Sequence, residues 1–154
     1  MKILVVSDSH KKLNTLARMV EAERPDVMIH CGDHLRDGEE LAKLFPDTPC
    51  SVVPGNCDFF THGRPDELVT YLGRHPVLLT HGHKYQVKRT YDRLRERGLA
   101  IGVKIAFFGH THRPYLEEGE SLSLFNPGAA EDGRYGLVEI DGDRISFSHK
   151  SLDP

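Results

Sequence analysis

A chain of 154 residues, 38% hydrophobic and 28% charged, has the size of one domain and the composition of a globular fold, which excludes a disordered or fibrous polymer. Its formal net charge of −3 provides no broad basic field for a nucleic-acid backbone, and no Lys/Arg run marks a membrane-surface patch, so any phosphate it binds must be attracted locally. Cys31, Cys50 and Cys57 form an odd set without a CxxC pair, so neither a disulfide framework nor a thiolate zinc site is expected. No apolar stretch approaches a membrane span and no signal-peptide pattern follows Met1, so the expected location is cytoplasmic. The ten histidines are the one compositional excess.

Along the chain, Lys2 to Val6 reads as a buried strand because Ile3, Leu4, Val5 and Val6 form a short continuous apolar run. Leu13, Leu16, Ala17 and Val20 recur at helical spacing, with Pro25 just beyond, and Val27 to His30 is a second strand. This strand-helix-strand order belongs to parallel sheets. Asp37 reads as the N-cap of a short helix carried by Leu41 to Phe45 and stopped by Pro46. Ser51 to Val53 is a third strand, ended by Pro54-Gly55, and Leu68 to Leu72 with Val77 to Thr80 form a hairpin around Gly73-Arg74-His75. A helix containing Val87, Tyr91, Leu94 and Ile101 is expected to pass Gly98 and stop at Gly102. Val103 to Phe108 is a further strand. Leu122 to Phe125, Gly136 to Ile140 and Ile145 to Ser148 are expected to close the chain as antiparallel β, with Asp141-Gly142 as the last turn. No linker or repeat interrupts the order, so residues 1–154 are read as one α/β domain on two mixed sheets.

Nearly every strand in this reading ends in potential metal ligands: Asp8-Ser9-His10, Gly32-Asp33-His34, Gly55-Asn56-Cys57-Asp58, His81-Gly82-His83 and Gly109-His110-Thr111-His112. Ligands of open α/β sheets bind beyond the carboxyl ends of the strands, so these loops are expected to converge on one cleft. Each fragment alone has an ordinary structural explanation, an N-cap for an Asp or a turn for a Gly-Asn. Together they form a set of oxygen and imidazole donors suited to Mn, Fe, Co, Ni or Zn.

Taken in order, D-x-H, G-D, G-N, H-G-H and G-H-T-H resemble the signature of the calcineurin-like metallophosphoesterase superfamily over nearly the whole chain. The Gly55-Asn56-Cys57-Asp58 variant, the short length and Asn126-Pro127-Gly128 are most similar to its compact prokaryotic phosphodiesterase branch, which also resembles the retromer subunit Vps29. The resemblance implies a four-layer αββα sandwich of two mixed sheets flanked by helices, with a site for two divalent metal ions. Manganese is the first choice of metal, with Zn, Fe, Ni or Co as alternatives. Asp8, His10, Asp33 and His112 would hold one ion and Asp33, Asn56, His81 and His110 the other, with Asp33 bridging. Four protein ligands each would leave positions open for water or substrate. Two dications, two carboxylates and a bridging hydroxide leave the pocket at about +1, enough to draw in a phosphate. The implied activity is two-metal hydrolysis of a small phosphate ester, most readily a diester, with Asp8, Asp33 and Asn56 as catalytic candidates alongside His34 and His83.

Many members of the superfamily have a histidine directly after the G-N asparagine, where this chain has Cys57; a small buried apolar role is expected for it. Asp58 is expected to orient a ligand histidine. His34 and His83 either touch substrate phosphate or pack behind the ligands. Arg113 and Lys84 are possible phosphate contacts or solvated surface cations. His30 is read as a satisfied core histidine, and His62, His75 and His149 as structural. Asn126 is expected to order a loop near the site. The sequence shows no aromatic pair or basic groove that would select a nucleobase or polymer. The alternative to an enzyme is a Vps29-like protein-interaction module with weak or residual activity, against which the intact ligand positions argue. A homo-oligomer stays open.

Overall fold

A computed structural model of the chain describes residues 1–61 and 63–152. The described residues contain β1 (Lys2–Val6), α1 (Leu13–Glu23), β2 (Val27–His30), α2 (Leu35–Leu44), β3 (Cys50–Val52), β4 (Glu67–Leu72), β5 (His75–Thr80), α3 (Asp92–Ile101), β6 (Ile105–Phe107), β7 (Tyr115–Glu117), β8 (Ser123–Asn126), β9 (Arg134–Asp141) and β10 (Arg144–Ser151). One five-stranded sheet runs β10-β9-β1-β2-β3 and the other β4-β5-β6-β8-β7. Both are mixed. β1, β2 and β3 are parallel, with β9 antiparallel to β1; β5, β6 and β8 are parallel, with β4 and β7 antiparallel at the edges.

The continuous apolar runs of the central strands follow from burial on both faces. Ile3 and Val5 point between the sheets, where they meet Val77, Leu79, Ile105, Phe107 and Phe125. Leu4 and Val6, on the opposite face, pack under α1 and α2 against Leu16, Met19, Val20 and Leu41. In the second sheet Leu78, Ala106, Phe108 and Leu124 face outward onto α3 and its approach, against Leu94 and Val87. The result is the four-layer αββα sandwich, with the carboxyl ends of β1, β2, β3, β5 and β6 at one rim.

Several boundaries differ from the sequence reading, each for a local reason. α2 begins at Leu35, not after Asp37: His34 at φ 63° is its N-cap, and Asp58 Oδ1 accepts the Leu35 N–H at 2.8 Å. Asp37 instead lies buried in the first turn and binds another loop. The helical spacing of Val87, Tyr91 and Leu94 does not form one helix, because Val87 lies in a separate turn closed by the Arg89 N–H on Gln86 O and Tyr91, at ψ 1°, is only the N-cap of α3; α3 starts at Asp92 and stops at Gly102, as expected. The last three predicted strands are not one antiparallel unit. β8 runs parallel to β6 in the second sheet, while β9 and β10 complete the first. β7 escaped notice because Leu116, its one aliphatic residue, is exposed. The hairpin turns are Gly73-Arg74 and Gly142-Asp143, since Leu72 pairs with His75 and Asp141 with Arg144. No helix among the described residues is long and apolar enough to cross a membrane.

Candidate metal centre

The polar strand ends meet at that rim. Asp8 Oδ2 accepts hydrogen bonds from Ser7 Oγ at 2.7 Å and His110 N at 3.0 Å. Its other oxygen, Oδ1, is buried with no hydrogen-bond partner and faces His112 Nε2 at 3.2 Å and His81 Nε2 at 3.7 Å. Asp33 is built the same way: Oδ1 accepts Cys57 N–H at 3.0 Å, while Oδ2 faces His81 Nε2 at 3.5 Å and His10 Nε2 at 3.9 Å. Each carboxylate therefore has one oxygen fixed by the protein and one turned toward imidazole nitrogens. His10 Nε2 and His81 Nε2 are themselves buried without a hydrogen-bond partner. Buried polar atoms in a folded protein are rarely left unpaired, and here three Lewis bases, Asp8 Oδ1, His10 Nε2 and His81 Nε2, are left so around Asp33 Oδ2.

The histidines are oriented from behind. His81 Nδ1 lies 2.8 Å from the Cys31 carbonyl; a carbonyl can only accept, so Nδ1 carries the hydrogen and Nε2 is the free side of the neutral ring. His112 Nδ1 faces Glu131 Oε1 at 3.4 Å, which directs its Nε2 toward Asp8. Burial opposes charge on His81, yet its contact with Asp33 and the nearby Asp8 outweigh burial and raise its pKa. Burial likewise opposes ionisation of Asp33, but His81 and the Cys57 N–H hold its carboxyl below the usual carboxylate range. The negative field that holds a proton on His81 is one that would hold a cation in its place.

The sequence-predicted ligands divide into three groups by position. Asp8, His10 and His112 offer ligand atoms within 4.8 Å of one another, and so do Asp8, Asp33 and His81. His110 stands beside the second group, its ring centroid 5.0 Å from that of His81; burial, followed by His81 and Lys88, pushes its pKa down to about 4. Asn56 is exposed at the rim, its amide turned to Cys57 Sγ at 3.9 Å. The flanking residues are close: the His34 ring is 5.1 Å from His10 and the His83 ring 5.5 Å from His81, with His83 Nδ1 buried and unpartnered.

Backbone strain collects here. Asp8, His10, Asp33, His110 and His112 have φ of 54°, 45°, 53°, 70° and 61°, a left-handed region that costs a non-glycine residue ~1–2 kcal/mol and clusters at functional sites. Glycines make the close approach possible. A Cβ at Gly109 would stand 2.0 Å from Ser7 Oγ and 2.7 Å from Asp8 Oδ2, and one at Gly32 would stand 2.9 Å from His81 Nδ1.

The supporting residues were partly missed. His30 is fully buried and satisfied, as read: Nδ1 accepts the Gly32 N–H at 3.1 Å and Nε2 donates to Ser9 Oγ at 3.0 Å. Ser9 passes the chain to Asp37 Oδ2 at 2.6 Å, which also accepts the Lys11 N–H at 2.8 Å. This network fixes the loop that carries Asp8 and His10, and Ser9 was overlooked although it sits between them in sequence. Asn126 orders its loop as expected, donating to Gly109 O and Thr111 Oγ1, each at 3.0 Å. Asp58 does not orient a histidine; its oxygens accept the N–H groups of Leu35 and Gly55. Cys57 is exposed, not buried. Lys84 is paired with Asp66. His75 and His149 bind the Gly142 and Asn126 carbonyls, and His62 lies outside the described residues. Two surface features lie outside the sequence reading: Phe59 and Phe60 are 93% and 83% exposed, and Lys88 and Arg113 line a hollow together with Thr111, which stands between His110 and His112.

Residues 1–143 match the family model of the calcineurin-like phosphoesterase superfamily domain. The chain belongs to that superfamily. It is 38% identical to a probable metallophosphoesterase of Bacillus subtilis, YsnB, over 93% of this chain and 86% of the relative. It is 25% identical to the phosphodiesterase MJ0936 of Methanocaldococcus jannaschii, over 83% of each. Among solved structures it is similar to a predicted phosphoesterase of Streptococcus pneumoniae, with TM-score 0.82, 28% identity and coverage of 97% of this chain and 88% of the other. Vps29 of Entamoeba histolytica, crystallised with zinc, shares the fold with TM-score 0.75 at 20% identity, over 98% and 99% of the two chains. The metallophosphoesterase family implies divalent metal, and the donor set above fits it: carboxylate oxygens and imidazole nitrogens, with no thiolate.

Proposed function

We propose that residues 1–154 form one cytoplasmic phosphoesterase domain that hydrolyses a small phosphate ester, with diesters preferred, at a centre for two divalent cations. The observation that carries this reading is the pair of half-anchored carboxylates, Asp8 and Asp33, each with one oxygen held by protein donors and the other turned to unpartnered imidazole nitrogens. Asp8, His10, Asp33 and His112 would hold one ion and Asp33, Asn56, His81 and His110 the other, manganese being the expected metal. When bound, the ions acidify a water and neutralise charge on the phosphoryl oxygens.

The chain's own residues set the stage for that chemistry. Asp33 Oδ2 faces His10 and His81, one histidine from each proposed ligand set, as a bridging carboxylate would; Asp8 Oδ1 likewise faces His112 and His81 and belongs to both ligand groups. Cys31 O and Glu131 fix the ring orientations of His81 and His112. His34 and His83 flank the centre on two sides and are assigned to the substrate phosphate; the unpartnered Nδ1 of His83 is a ready contact. Preference for diesters follows from the small positive surplus of the loaded site, about +1, which a monoanion balances, and is in keeping with the name of the archaeal relative. The exposed Phe59 and Phe60 favour a second reading in which the rim also meets a protein partner, as a Vps29-like module would. Hydrolysis of a panel of mono- and diesters with Mn, Zn, Co and Ni, before and after chelation, tests the proposal. Metal-restorable turnover, faster on diesters, is expected; no turnover with any metal would leave the interaction module as the better account.

A further inference from the structure

A hollow of about 300 Å³, lined by Val87, Lys88, Tyr91, Thr111 and Arg113, opens beside the candidate centre. Thr111, part of its lining, sits between His110 and His112 in the chain. The hollow and the centre are therefore neighbours on the same loop. Thr111 Oγ1 accepts from Asn126 Nδ2 at 3.0 Å and from Arg113 N at 3.1 Å, so the point from which the Arg113 side chain leaves the backbone is fixed. The Tyr91 ring makes a rigid wall, 4.2 Å from Tyr115 and 5.4 Å from Phe108 between ring centroids. Tyr91 feels the Arg113 charge, which offsets part of the rise that burial imposes on its phenol.

Other cations of this half of the chain are matched to carboxylates: Lys84 to Asp66, Arg95 to Glu117 and Arg97 to Glu67. Among the described residues the lining of this hollow contains two cations and no acid, in a chain whose net charge is −3. A guanidinium fork with an ammonium suits a compact group with several acceptor oxygens and two negative charges, which a phosphate monoester has and a carboxylate lacks.

We propose that this hollow binds a second phosphate group of the substrate, so that the preferred ester carries a further phosphate beyond the one that is cleaved. The inference rests on the phosphoesterase reading for the cleaved group, while its charge recognition is a property of Lys88 and Arg113 alone.

Two measurements separate the claims. The first compares kcat/KM of the metal-loaded chain on the p-nitrophenyl ester of thymidine 5′-phosphate with the same ester bearing an added 3′-phosphate. A preference of about tenfold for the doubly phosphorylated ester is expected from two exposed ionic contacts, and it should fall toward one in a Lys88→Ala/Arg113→Ala double variant. The second titrates inorganic phosphate into the full chain in chelator and follows backbone amide resonances, which should move at Lys88, Thr111 and Arg113 and stay in place in the double variant. Equal use of the two esters by wild type, or a preference untouched by the double variant, overturns the subsite while leaving the esterase reading intact. If neither ester is hydrolysed the esterase reading fails, and the phosphate titration decides the hollow by itself: no shift at the three residues overturns it.

Discussion

Gly55 lies directly against the carboxylate of Asp33: a Cβ at position 55 would stand 2.2 Å from Asp33 Oδ1 and 2.4 Å from Asp33 N. Neither partner can yield cheaply, because Oδ1 is held by the Cys57 N–H and the Gly55 N–H is itself held by Asp58. Gly55→Ala is therefore expected to cost ~1–3 kcal/mol through overpacking and to weaken metal binding by displacing Asp33. Gly142→Ala, where nothing lies within 4 Å of the added Cβ, is the comparison; it should cost about 1 kcal/mol from its positive φ alone and leave metal content unchanged. Denaturant melts and bound-metal assays of both variants check this.

Asn126 is expected to matter for the centre without touching it. Its buried amide holds Gly109 O, Thr111 Oγ1 and the Gly128 N–H, so Asn126→Ala leaves buried partners unsatisfied, at a cost of ~1–3 kcal/mol. The loop carrying His110 and His112 should loosen, with kcat falling further than stability predicts. Asn126→Asp, which keeps the acceptor to Gly128 but loses the donor, should recover little of the activity.

Acid stability has a traceable source in His30. Burial pushes its pKa from the ordinary 6.5 down to about 4, so the folded state takes up fewer protons than the unfolded chain between those values. Its contribution is fully present above pH 6.5 and is lost as pH falls toward 4, on the order of 3 kcal/mol across the window. Chemical melts of chelated protein from pH 7 to 4 should show a shallower decline for His30→Gln than for wild type, with the variant less stable at pH 7. Parallel slopes would assign the acid sensitivity to other groups.

Cys57 should be dispensable for esters with good leaving groups. Partial desolvation at the rim first, then the carboxylates of Asp33, Asp58 and Asp8, raises its thiol pKa, so at neutral pH it keeps its proton and is a weak donor. Its structural contribution is the backbone N–H on Asp33, which Cys57→Ala preserves. Aryl esters should be cleaved at near wild-type rate by Cys57→Ala, and alkyl esters slowly by both proteins, since a general acid is typically worth on the order of 10²–10⁴ in rate. Cys57→His should narrow the gap. A selective loss on high-pKa alcohols in Cys57→Ala would show that the thiol is a working acid.

The strands that build the centre were legible because burial on both faces writes an unbroken apolar run, as in Ile3 to Val6 and in Ile105 to Phe108. The ligand fragments were legible because each follows such a run. Their supports were not. Ser9 binds His30 and Asp37, and Glu131 faces His112, across sequence separations that no local pattern encodes. The start of α3 was misplaced because Val87 and Tyr91 are apolar for the packing of a turn, a demand that helical spacing imitates. The left-handed backbone at Asp8, Asp33 and their histidines is imposed by tertiary contacts and has no glycine to announce it.

Asp33 is expected to tie two metal ions to one centre, and metal content is the test. Wild type reconstituted with manganese should hold two equivalents after desalting, and Asp33→Ala should lose both together, because its Oδ2 faces His10 and His81 alike. An Asp33→Ala chain that kept one tightly bound equivalent would show that Asp33 does not bridge, and a wild type that never held more than one would rule out a two-ion centre.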